Sequence, residues 1–201
     1  MSSTIVLGTR NAGKISELRA VLGVRWTVKG LEDFGSDIPD VVEDGDTYRE
    51  NALKKATAYQ KWVGLPVLAD DSGLEVDALG GAPGVHSAYY GGENISWPER
   101  WAHLYRELAP HPPEKWTGRF RCVLCYVDGQ HLPRFFEAVT EGHVLPRPQG
   151  NQGFGYDPIL WSNDLKCSFG EASADQKNQV SHRARALHAF ANWMINNPSG
   201  K

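Results

Sequence analysis

A glycine-bearing stretch near the start of the sequence has the spacing of a phosphate-binding loop. Residues 8–14 follow residues 4–7, a short apolar segment that predicts a strand. They lead into residues 14–22, where apolar side chains recur at helical spacing. A strand, a turn and a helix start in this order point backbone N–H groups and the helix dipole at an anion. The spacing matches the Walker A pattern up to Lys14, but Ile15 stands where that pattern has Ser or Thr for Mg²⁺. We therefore expect phosphate binding here and a metal ligand elsewhere; an ordinary strand–helix turn with a surface lysine is the alternative.

The adjacent carboxylates Asp70 and Asp71 are the candidates for that metal ligand. They follow residues 66–69, a short apolar segment that predicts a buried strand. Burying acids costs desolvation free energy unless a cation or hydrogen-bond donors compensate it. Mg²⁺ takes one or two carboxylates and completes its shell with water and substrate phosphate. We expect the pair to supply the metal ligand that Ile15 cannot provide. The alternative is a plain Asp-Ser-Gly turn. Two acids upstream are further ligand candidates: Glu43 and Glu50.

Glycines and aromatic residues alternate in residues 153–157, Gly-Phe-Gly-Tyr-Asp. Glycines let the backbone approach a flat ligand closely, and a base stacked on an aromatic ring gains about 1–3 kcal/mol whatever its identity. Discrimination between bases then needs polar contacts at the edge of the base. The candidates for these contacts are Asp157, Lys177, His182 and Arg183. A plain loop followed by a helix start at residues 181–183 is the alternative interpretation.

Length, charge and cysteine content exclude several classes of protein. A chain of 201 residues is one domain of ordinary size, and a net charge of −3 argues against a nucleic-acid partner. No apolar run approaches the roughly 18 residues of a membrane span, and no signal peptide is recognisable. Three cysteines are an odd and sparse set, which argues against a disulfide framework. The Cys-x-x-Cys at Cys122 and Cys125 lies in a strand pattern that points them to opposite faces. We expect a cytoplasmic protein without a membrane partner.

The remaining periodicity predicts a mixed α/β domain with a hairpin-rich lobe. The predicted helices are residues 14–22, 48–63, 96–108 and 181–196. The predicted strands are residues 4–7, 25–29, 66–69, 74–79, 119–127 and 131–140. An acidic, irregular segment, residues 32–46, precedes the second helix.

Six segments, in order along the chain, resemble the inosine triphosphatase family. They are residues 9–14 (Thr-Arg-Asn-Ala-Gly-Lys), 50–52 (Glu-Asn-Ala), 69–74 (Ala-Asp-Asp-Ser-Gly-Leu), 80–84 (Gly-Gly-Ala-Pro-Gly), 154–158 (Phe-Gly-Tyr-Asp-Pro) and 181–183 (Ser-His-Arg). The resemblance implies hydrolysis of non-standard purine nucleoside triphosphates (ITP, dITP and XTP) to the monophosphate and pyrophosphate, which removes them from the nucleotide pool. It also implies Mg²⁺ as the cofactor and a homodimer. The implied fold is α/β, one domain over residues 1–201 with an elongated, two-lobed mixed sheet flanked by helices and the active site in the central cleft.

Carried over position by position, the resemblance implies catalytic roles for Asp71 and Lys14 and metal ligation by Asp71 and Glu43. The positions that it implies for substrate contacts are Thr9, Arg10, Asn11, Lys14, Ser72, Phe154, Gly155, Tyr156, Asp157, Lys177, His182 and Arg183. The expected reaction is metal-assisted attack of water on the α-phosphorus, with pyrophosphate leaving. Asp71 then orients or deprotonates the water, and Lys14 offsets charge on the β- and γ-phosphates.

Two positions depart from the family pattern. Arg10 replaces a glycine that is common among members, which adds a cation near the expected phosphate site. Tyr89 replaces the arginine of a Ser-Ala-Arg-Tyr segment that many bacterial members carry, which changes a packing or dimer contact rather than the catalytic set.

Selectivity for a 6-oxo purine needs donors at the base O6, for which Arg183 and the backbone near Phe154 are the candidates. Two other functions stay open at this point. One is a Maf-like nucleotide pyrophosphatase that acts on pyrimidine or modified nucleotides. The other is a nucleotide-binding sensor without turnover.

Overall fold

A computed structural model describes residues 4–22 and 26–197 of the chain. The described residues form a mixed six-stranded sheet flanked by helices, which confirms the α/β prediction. The strands are β1 (Thr4–Leu7), β2 (Thr27–Lys29), β3 (Val67–Val76), β4 (Thr117–Val127), β5 (Arg134–Val144) and β6 (Leu160–Ser162). The helices are α1 (Ala12–Leu22), α2 (Tyr48–Val63), α3 (Trp97–Leu108), α4 (Ala174–Val180) and α5 (His182–Asn196). No helix in this described part is both long and apolar enough to cross a membrane.

The strand order in the sheet is β2-β1-β3-β4-β5-β6. β1 runs parallel to both β2 and β3, and Leu7 at the end of β1 lies opposite Leu68 of β3. β6 is antiparallel to β5. Because parallel neighbours end at the same edge of a sheet, the turn after β1 lies beside the residues that follow Leu68 in β3. This register brings the glycine-bearing loop to the aspartate pair.

The chain divides into two compact units, each with its own apolar core. The first unit contains the described residues of Met1–Asp71, Cys122–Ala138 and Arg183–Lys201, and the second contains Ser72–Arg121 and Val139–His182. The core of the first unit is built from Ile5, Leu7, Leu18, Leu22, Leu68, Cys122, Leu124, Tyr126, Ala186, Leu187, Phe190 and Met194. The core of the second unit is built from Leu74, Val76, Leu104, Leu108, Phe120, Val144, Tyr156, Ile159, Leu160 and Phe169.

β3 differs from its prediction. The sequence predicts two strands, residues 66–69 and 74–79, with Asp-Ser-Gly between them, whereas the structure has one continuous strand, Val67–Val76. The turn alternative for the aspartate pair is therefore wrong, and so is the second strand beyond Val76, because Asp77–Leu79 forms a short 3-10 helix. Adjacent residues of a strand point to opposite faces, so Asp70 and Asp71 have separate surroundings. The strand continues through them because each carboxylate has cationic partners, described below.

Two predicted helices are confirmed together with their start signals. α2 spans the predicted residues 48–63, and the Thr47 side chain accepts a hydrogen bond from the backbone N–H of Glu50, while Glu50 accepts one from Thr47. α3 begins after Ser96, whose side chain caps it in the same way with Glu99.

The predicted hairpin is present with shifted bounds. β4 and β5 are neighbours in the sheet, and the Asp128 carboxylate accepts hydrogen bonds from the backbone N–H groups of Gln130 and His131, at 2.9 and 2.8 Å. This side-chain turn occupies residues 128–131, so β5 begins at Arg134 rather than at residue 131.

The C-terminal helical segment is in two parts. The sequence predicts one helix from residue 181, but α4 precedes it and is capped by Ser173, whose side chain accepts from the N–H of Gln176. α5 starts at His182 after an extended Ser181. The predicted second strand is confirmed at Thr27–Lys29, and residue 25 lies outside the described residues.

Candidate active site

The glycine-bearing loop of the first unit ends in a capped helix start. The Asn11 side chain accepts a hydrogen bond from the backbone N–H of Lys14 at 3.1 Å, and the Thr9 hydroxyl accepts one from the N–H of Asn11 at 3.2 Å. Gly8 is required by close packing, since a Cβ there would lie 2.9 Å from the Cβ of Ala69. The strand–turn–helix geometry expected for anion binding is therefore present at α1.

Lys14 and Arg183 converge on one carboxylate oxygen of Asp70. The Lys14 Nζ lies 2.9 Å and the Arg183 Nε 3.2 Å from Asp70 Oδ2, and Arg183 also donates to Glu17 through Nη1. Asp70 and Arg183 are buried. Burial alone raises the pKa of Asp70, but the positive charges of Lys14, Arg183 and Lys55 outweigh it and hold that pKa well below its usual range. Asp70 is therefore ionised and anchors the two cations.

Asp71 faces a different set of partners on α2. Its Oδ2 accepts a hydrogen bond from Asn51 Nδ2 at 3.2 Å, and its Oδ1 lies 3.3 Å from the Lys55 Nζ. Lys55 is also buried, and its Nζ donates a second hydrogen bond to Glu43 Oε2. Burial raises the pKa of Asp71 to about 6, although the charges of Lys55 and Lys14 act against that shift. Asp70 therefore stays ionised well below neutral pH, whereas Asp71 takes up a proton as the pH falls through about 6.

The donor set around Lys55 fits a hard divalent cation. Among the described residues, no group of three or more His, Cys, Asp or Glu side chains lies close enough together to form a metal site alone. Mg²⁺ needs only one or two carboxylates in proteins, and Asp71 and Glu43 both contact the Nζ of Lys55, so a positive charge already lies between their oxygens. Glu50, the other ligand candidate, accepts the backbone N–H of Thr47 and caps α2.

Arg10 is turned toward the acidic segment. Its guanidinium donates to the backbone carbonyls of Ile38 and Pro39 at 2.8 and 3.1 Å and lies 4.0 Å from the carboxylate of Asp40. The side chain is half exposed, so these contacts hold it at the surface.

In the second unit, residues 153–157 form a tight loop, here called the base loop. The Asp157 carboxylate accepts hydrogen bonds from the backbone N–H of Phe154 at 2.7 Å and from Lys177 Nζ at 2.6 Å. Lys177 Nζ also lies 4.6 Å from the centroid of the Phe154 ring. A Cβ on Gly153 would lie 2.1 Å from Asp157 Oδ2, and its φ of +74° is left-handed, so this position requires glycine. The structure therefore brings together the predicted base contacts Phe154, Asp157 and Lys177.

The other predicted substrate contacts are distributed between the units. Tyr156 is buried in the second unit and its hydroxyl donates to the Ser87 carbonyl at 3.0 Å. His182 is buried with its ring 4.9 Å from that of Phe120, and Ser72 is half-buried in β3. Arg183 belongs to the first unit, where its guanidinium contacts the two carboxylates described above.

Sequence reasoning missed three residues of the first-unit cluster: Glu17, Asn51 and Lys55. Asn51 and Lys55 are four residues apart on α2, which places them on one helix face. Lys55 is buried, although lysine side chains are mostly exposed in folded proteins. Their spacing, together with the Glu-Asn-Ala segment, is the signal that points to the pair.

Comparisons with known proteins agree with the resemblance. The Ham1 family matches residues 5–193. A dITP/XTP pyrophosphatase of Geobacter sulfurreducens is 47% identical over 186 residues, which cover 91% of this chain and 92% of that protein. A dITP/XTP pyrophosphatase of Geobacillus kaustophilus is 46% identical over 184 residues, 91% of this chain and 90% of the relative.

Solved structures show the same similarity. The Staphylococcus aureus Ham1 protein superposes with a TM-score of 0.87 at 33% identity, covering 97% of this chain and all of that one (100%). A HAM1 protein from Coxiella burnetii gives a TM-score of 0.88 at 34% identity, covering 96% of this chain and 99% of its own. The resemblance read from six short segments is thus confirmed over nearly the whole length, and the chain belongs to the Ham1 family.

Proposed function

We propose that this protein is a nucleoside-triphosphate pyrophosphatase that hydrolyses dITP, XTP and ITP to the monophosphate and pyrophosphate. The observation that carries the proposal is the cluster of the first unit, in which buried Asp71 is held by Asn51 and Lys55 beside the Lys14–Asp70 pair. The two relatives described above are dITP/XTP pyrophosphatases, which supports the substrate class and the reaction. The cell would use such an enzyme to remove these nucleotides from its pool.

In this proposal, the triphosphate binds at the N-terminus of α1 and contacts the cations near it. The ion pair with Asp70 positions Lys14. Thr9 and Asn11, in the loop before it, lie at the N-terminus of the helix and are proposed phosphate contacts. Negative phosphate is stabilised by the helix dipole and by a lysine ammonium, whose charge offsets the charge that grows on the leaving pyrophosphate. Arg10 belongs to the same loop and is a further proposed phosphate contact; to reach a phosphate, its guanidinium exchanges the carbonyls of Ile38 and Pro39 for phosphate oxygens.

Mg²⁺ is the proposed cofactor, held by Asp71 and Glu43. When bound, it supplies Lewis-acid polarisation of phosphate oxygen and lowers the pKa of coordinated water. The Asp71 carboxylate orients the attacking water toward the α-phosphorus, while Asn51 and Lys55 fix the carboxylate through its two oxygens. Lys55 joins Asp71 to Glu43, so one side chain aligns both proposed ligands.

The base loop is the proposed contact for the purine. The Phe154 ring is the proposed stacking partner of the base. Lys177 lies against this ring and donates a hydrogen bond to Asp157. Because the Arg183 guanidinium is engaged by two carboxylates, the backbone donors of the base loop become the preferred partners of the base O6. A donor directed at O6 accepts inosine and opposes the amino group of adenine. His182 and Ser72 complete the proposed substrate contacts.

The proposal extends to location and assembly. The three cysteines, Cys122, Cys125 and Cys167, are all free thiols, which supports a reducing compartment such as the cytoplasm. The homodimer is carried over from the family resemblance, and light scattering on the purified protein tests it: a monomer mass at micromolar concentration would exclude the dimer. A nucleic-acid partner is not part of the proposal, because the net charge is −3.

Pyrophosphate release is the test of the function. The protein is assayed with and without Mg²⁺ against ITP, XTP, dITP, GTP, ATP, dTTP and UTP. We expect metal-dependent release from ITP, dITP and XTP and far weaker release from ATP and GTP. Preference for dTTP or UTP would favour a Maf-like pyrophosphatase instead, and binding without release would identify a sensor.

A further inference from the structure

The C-terminal end of the base loop is fixed by contacts with two other parts of the chain. Asp157 is held by Lys177 of α4 at 2.6 Å and accepts the N–H of Phe154. Next to it, the Tyr156 hydroxyl is fixed on the carbonyl of Ser87. The backbone N–H of Asp157 also donates to the Phe154 carbonyl at 3.2 Å and closes a turn whose central peptide is Gly155–Tyr156. Such a turn closes with the central peptide in either of two orientations, so these contacts alone do not determine its direction.

A tryptophan of α3 fixes that peptide group. The indole Nε1 of Trp101 donates a hydrogen bond to the carbonyl of Gly155 at 3.0 Å. Trp97, four residues earlier and therefore on the same helix face, packs edge-on against the Tyr156 ring, with centroids 5.2 Å apart. One face of α3 thus covers the middle of the base loop.

The base loop needs such a contact because it is rich in glycine. Gly153 and Gly155 both have left-handed φ values, +74° and +69°. Glycine populates positive and negative φ with similar ease, so the peptide after Gly155 has more orientations open to it than other residues would allow. A hydrogen bond to the carbonyl of this peptide selects one orientation and lowers the conformational entropy of the loop. Because the peptide is planar and trans, the same bond directs the N–H of Tyr156 away from the indole.

We infer that Trp101 is a positioning residue for nucleobase recognition. It acts through the Gly155–Tyr156 peptide, which lies in sequence between the proposed base contacts Phe154 and Asp157. Hydrogen bonds weaken steeply when donor and acceptor are misaligned, so discrimination by backbone donors depends on a fixed peptide plane. The inference rests on the proposed function and deepens it, since it assigns a cause to the preference for 6-oxo purines.

Three substitutions separate the hydrogen bond from packing. Trp101→Phe removes the N–H and keeps an aromatic ring. Trp101→His keeps a donor, because the histidine Nε2 occupies the same place in a five-membered ring, two bonds from Cγ, as the tryptophan Nε1. The matched control is Trp116→Phe, since the Trp116 indole also donates to a carbonyl at 3.0 Å in the same unit, but to His111.

For each variant, KM and kcat are measured with dITP and dATP, and both affinities are measured by calorimetry in EDTA, where no turnover is needed. We expect Trp101→Phe to raise KM for dITP about three- to tenfold, the worth of one hydrogen bond, and to leave kcat within about twofold. The ratio of dITP to dATP affinity falls by a similar factor. Trp101→His retains most of the ratio, and Trp116→Phe retains all of it. Melting temperatures show that each variant is folded.

The inference is overturned if Trp101→Phe leaves the ratio unchanged, if Trp116→Phe lowers it as much, or if Trp101→His loses it as completely as Trp101→Phe. The last result would assign Trp101 to packing alone. Failure of the proposed function is a separate result, because it shows as absence of pyrophosphate release from dITP by the unaltered protein, while the calorimetric ratio still reports on Trp101.

Discussion

Two neighbouring carboxylates of β3 show how surroundings separate side chains of the same type. Asp70 receives Lys14 and Arg183 at 2.9 and 3.2 Å, and its pKa lies well below the usual range. Asp71 has one ammonium at 3.3 Å and one amide, and burial raises its pKa to about 6. The first carboxylate is ionised and pairs with two cations, whereas the second contacts one cation and one neutral amide, which supports the metal-binding role proposed for it.

Replacing Asp71 by Asn tests its role at the reaction centre. We expect pyrophosphate release from dITP to fall by a factor of about a thousand or more, since the carboxylate both binds metal and orients water. The melting temperature should stay close to that of the unaltered protein, because an amide is less costly to bury than a carboxylate. The control is Asp77→Asn, a carboxylate that pairs with Arg119 in the second unit. Turnover within tenfold of normal in Asp71→Asn would contradict the assignment.

Replacing Lys55 by Met tests the buried ammonium between the two proposed ligands. Removing one partner from a buried charge cluster costs about 3–5 kcal/mol of unfolding free energy, because Asp71 and Glu43 lose their shared positive charge. A divalent cation replaces that charge, so we expect Mg²⁺ to raise the melting temperature of Lys55→Met more than that of the unaltered protein.

Lys54→Met is the matched control for that experiment. Lys54 is the adjacent residue and pairs with Asp44 at the surface, where water screens the ion pair and its contribution to stability is small. Its unfolding free energy and its response to Mg²⁺ should match those of the unaltered protein. Equal responses to Mg²⁺ in both variants would show that the cation does not bind beside Lys55.

At the scale of elements, α2 supports Asp71, the proposed metal ligand. It presents Asn51 and Lys55 from one face, and its start is closed by the reciprocal hydrogen bonds of Thr47 and Glu50. Asn51 also accepts the backbone N–H of Gly45 at 2.8 Å, which ties the end of the acidic segment to the helix. The body of α2 thus positions the partners of Asp71, and the cap at Thr47 stabilises the helix that carries them.

Loss of this cap should cost stability more than activity. Thr47→Ala removes the side-chain acceptor for the Glu50 N–H, which is worth about 1 kcal/mol at a helix start. Urea unfolding is expected to show this loss, while kcat for dITP changes little, because Asn51 and Lys55 lie one to two turns further along the helix. Thr47→Ser retains the acceptor and should be nearly neutral. A large loss of stability in Thr47→Ser would attribute the effect to packing of the methyl group.

At the scale of the whole molecule, the described residues build two cores, and β3, β4 and β5 each contribute residues to both units. Leu68 belongs to the core of the first unit, and Leu74 on the same strand belongs to the core of the second. The cysteines report on this packing, because Cys122 and Cys125 are fully buried on β4 while Cys167 is partly exposed.

Thiol reactivity should therefore report unfolding of the first unit. Burial raises the pKa of both Cys122 and Cys125 to about 12, so at pH 8 the native thiols stay protonated and unreactive. We expect a disulfide reagent to modify Cys167 alone in the native protein and all three cysteines in guanidinium. Because unfolded thiols ionise near pH 8.5, the native state should lose stability as the pH rises from about 8.5 toward 12. Fast reaction of a second thiol in the native protein would contradict the burial of β4.

The sequence by itself determined the features that depend on neighbours in the chain. Helical spacing and the Thr47–Glu50 cap located α2, and a turn between an apolar strand and a helix located the loop around Lys14. Six short segments identified the family, since each depends only on residue order. These features are local because hydrogen bonds of caps and turns join residues three or four positions apart.

Only the tertiary structure decided how the charges are paired. Arg183 meets Glu17 across 166 positions of sequence and Asp70 across 113, and Lys55 meets Asp71 across 16. No periodicity encodes such distances. They also explain why β3 runs on through two carboxylates: the cations that stabilise them arrive from α1, α2 and α5, and only the folded chain brings these helices to one strand.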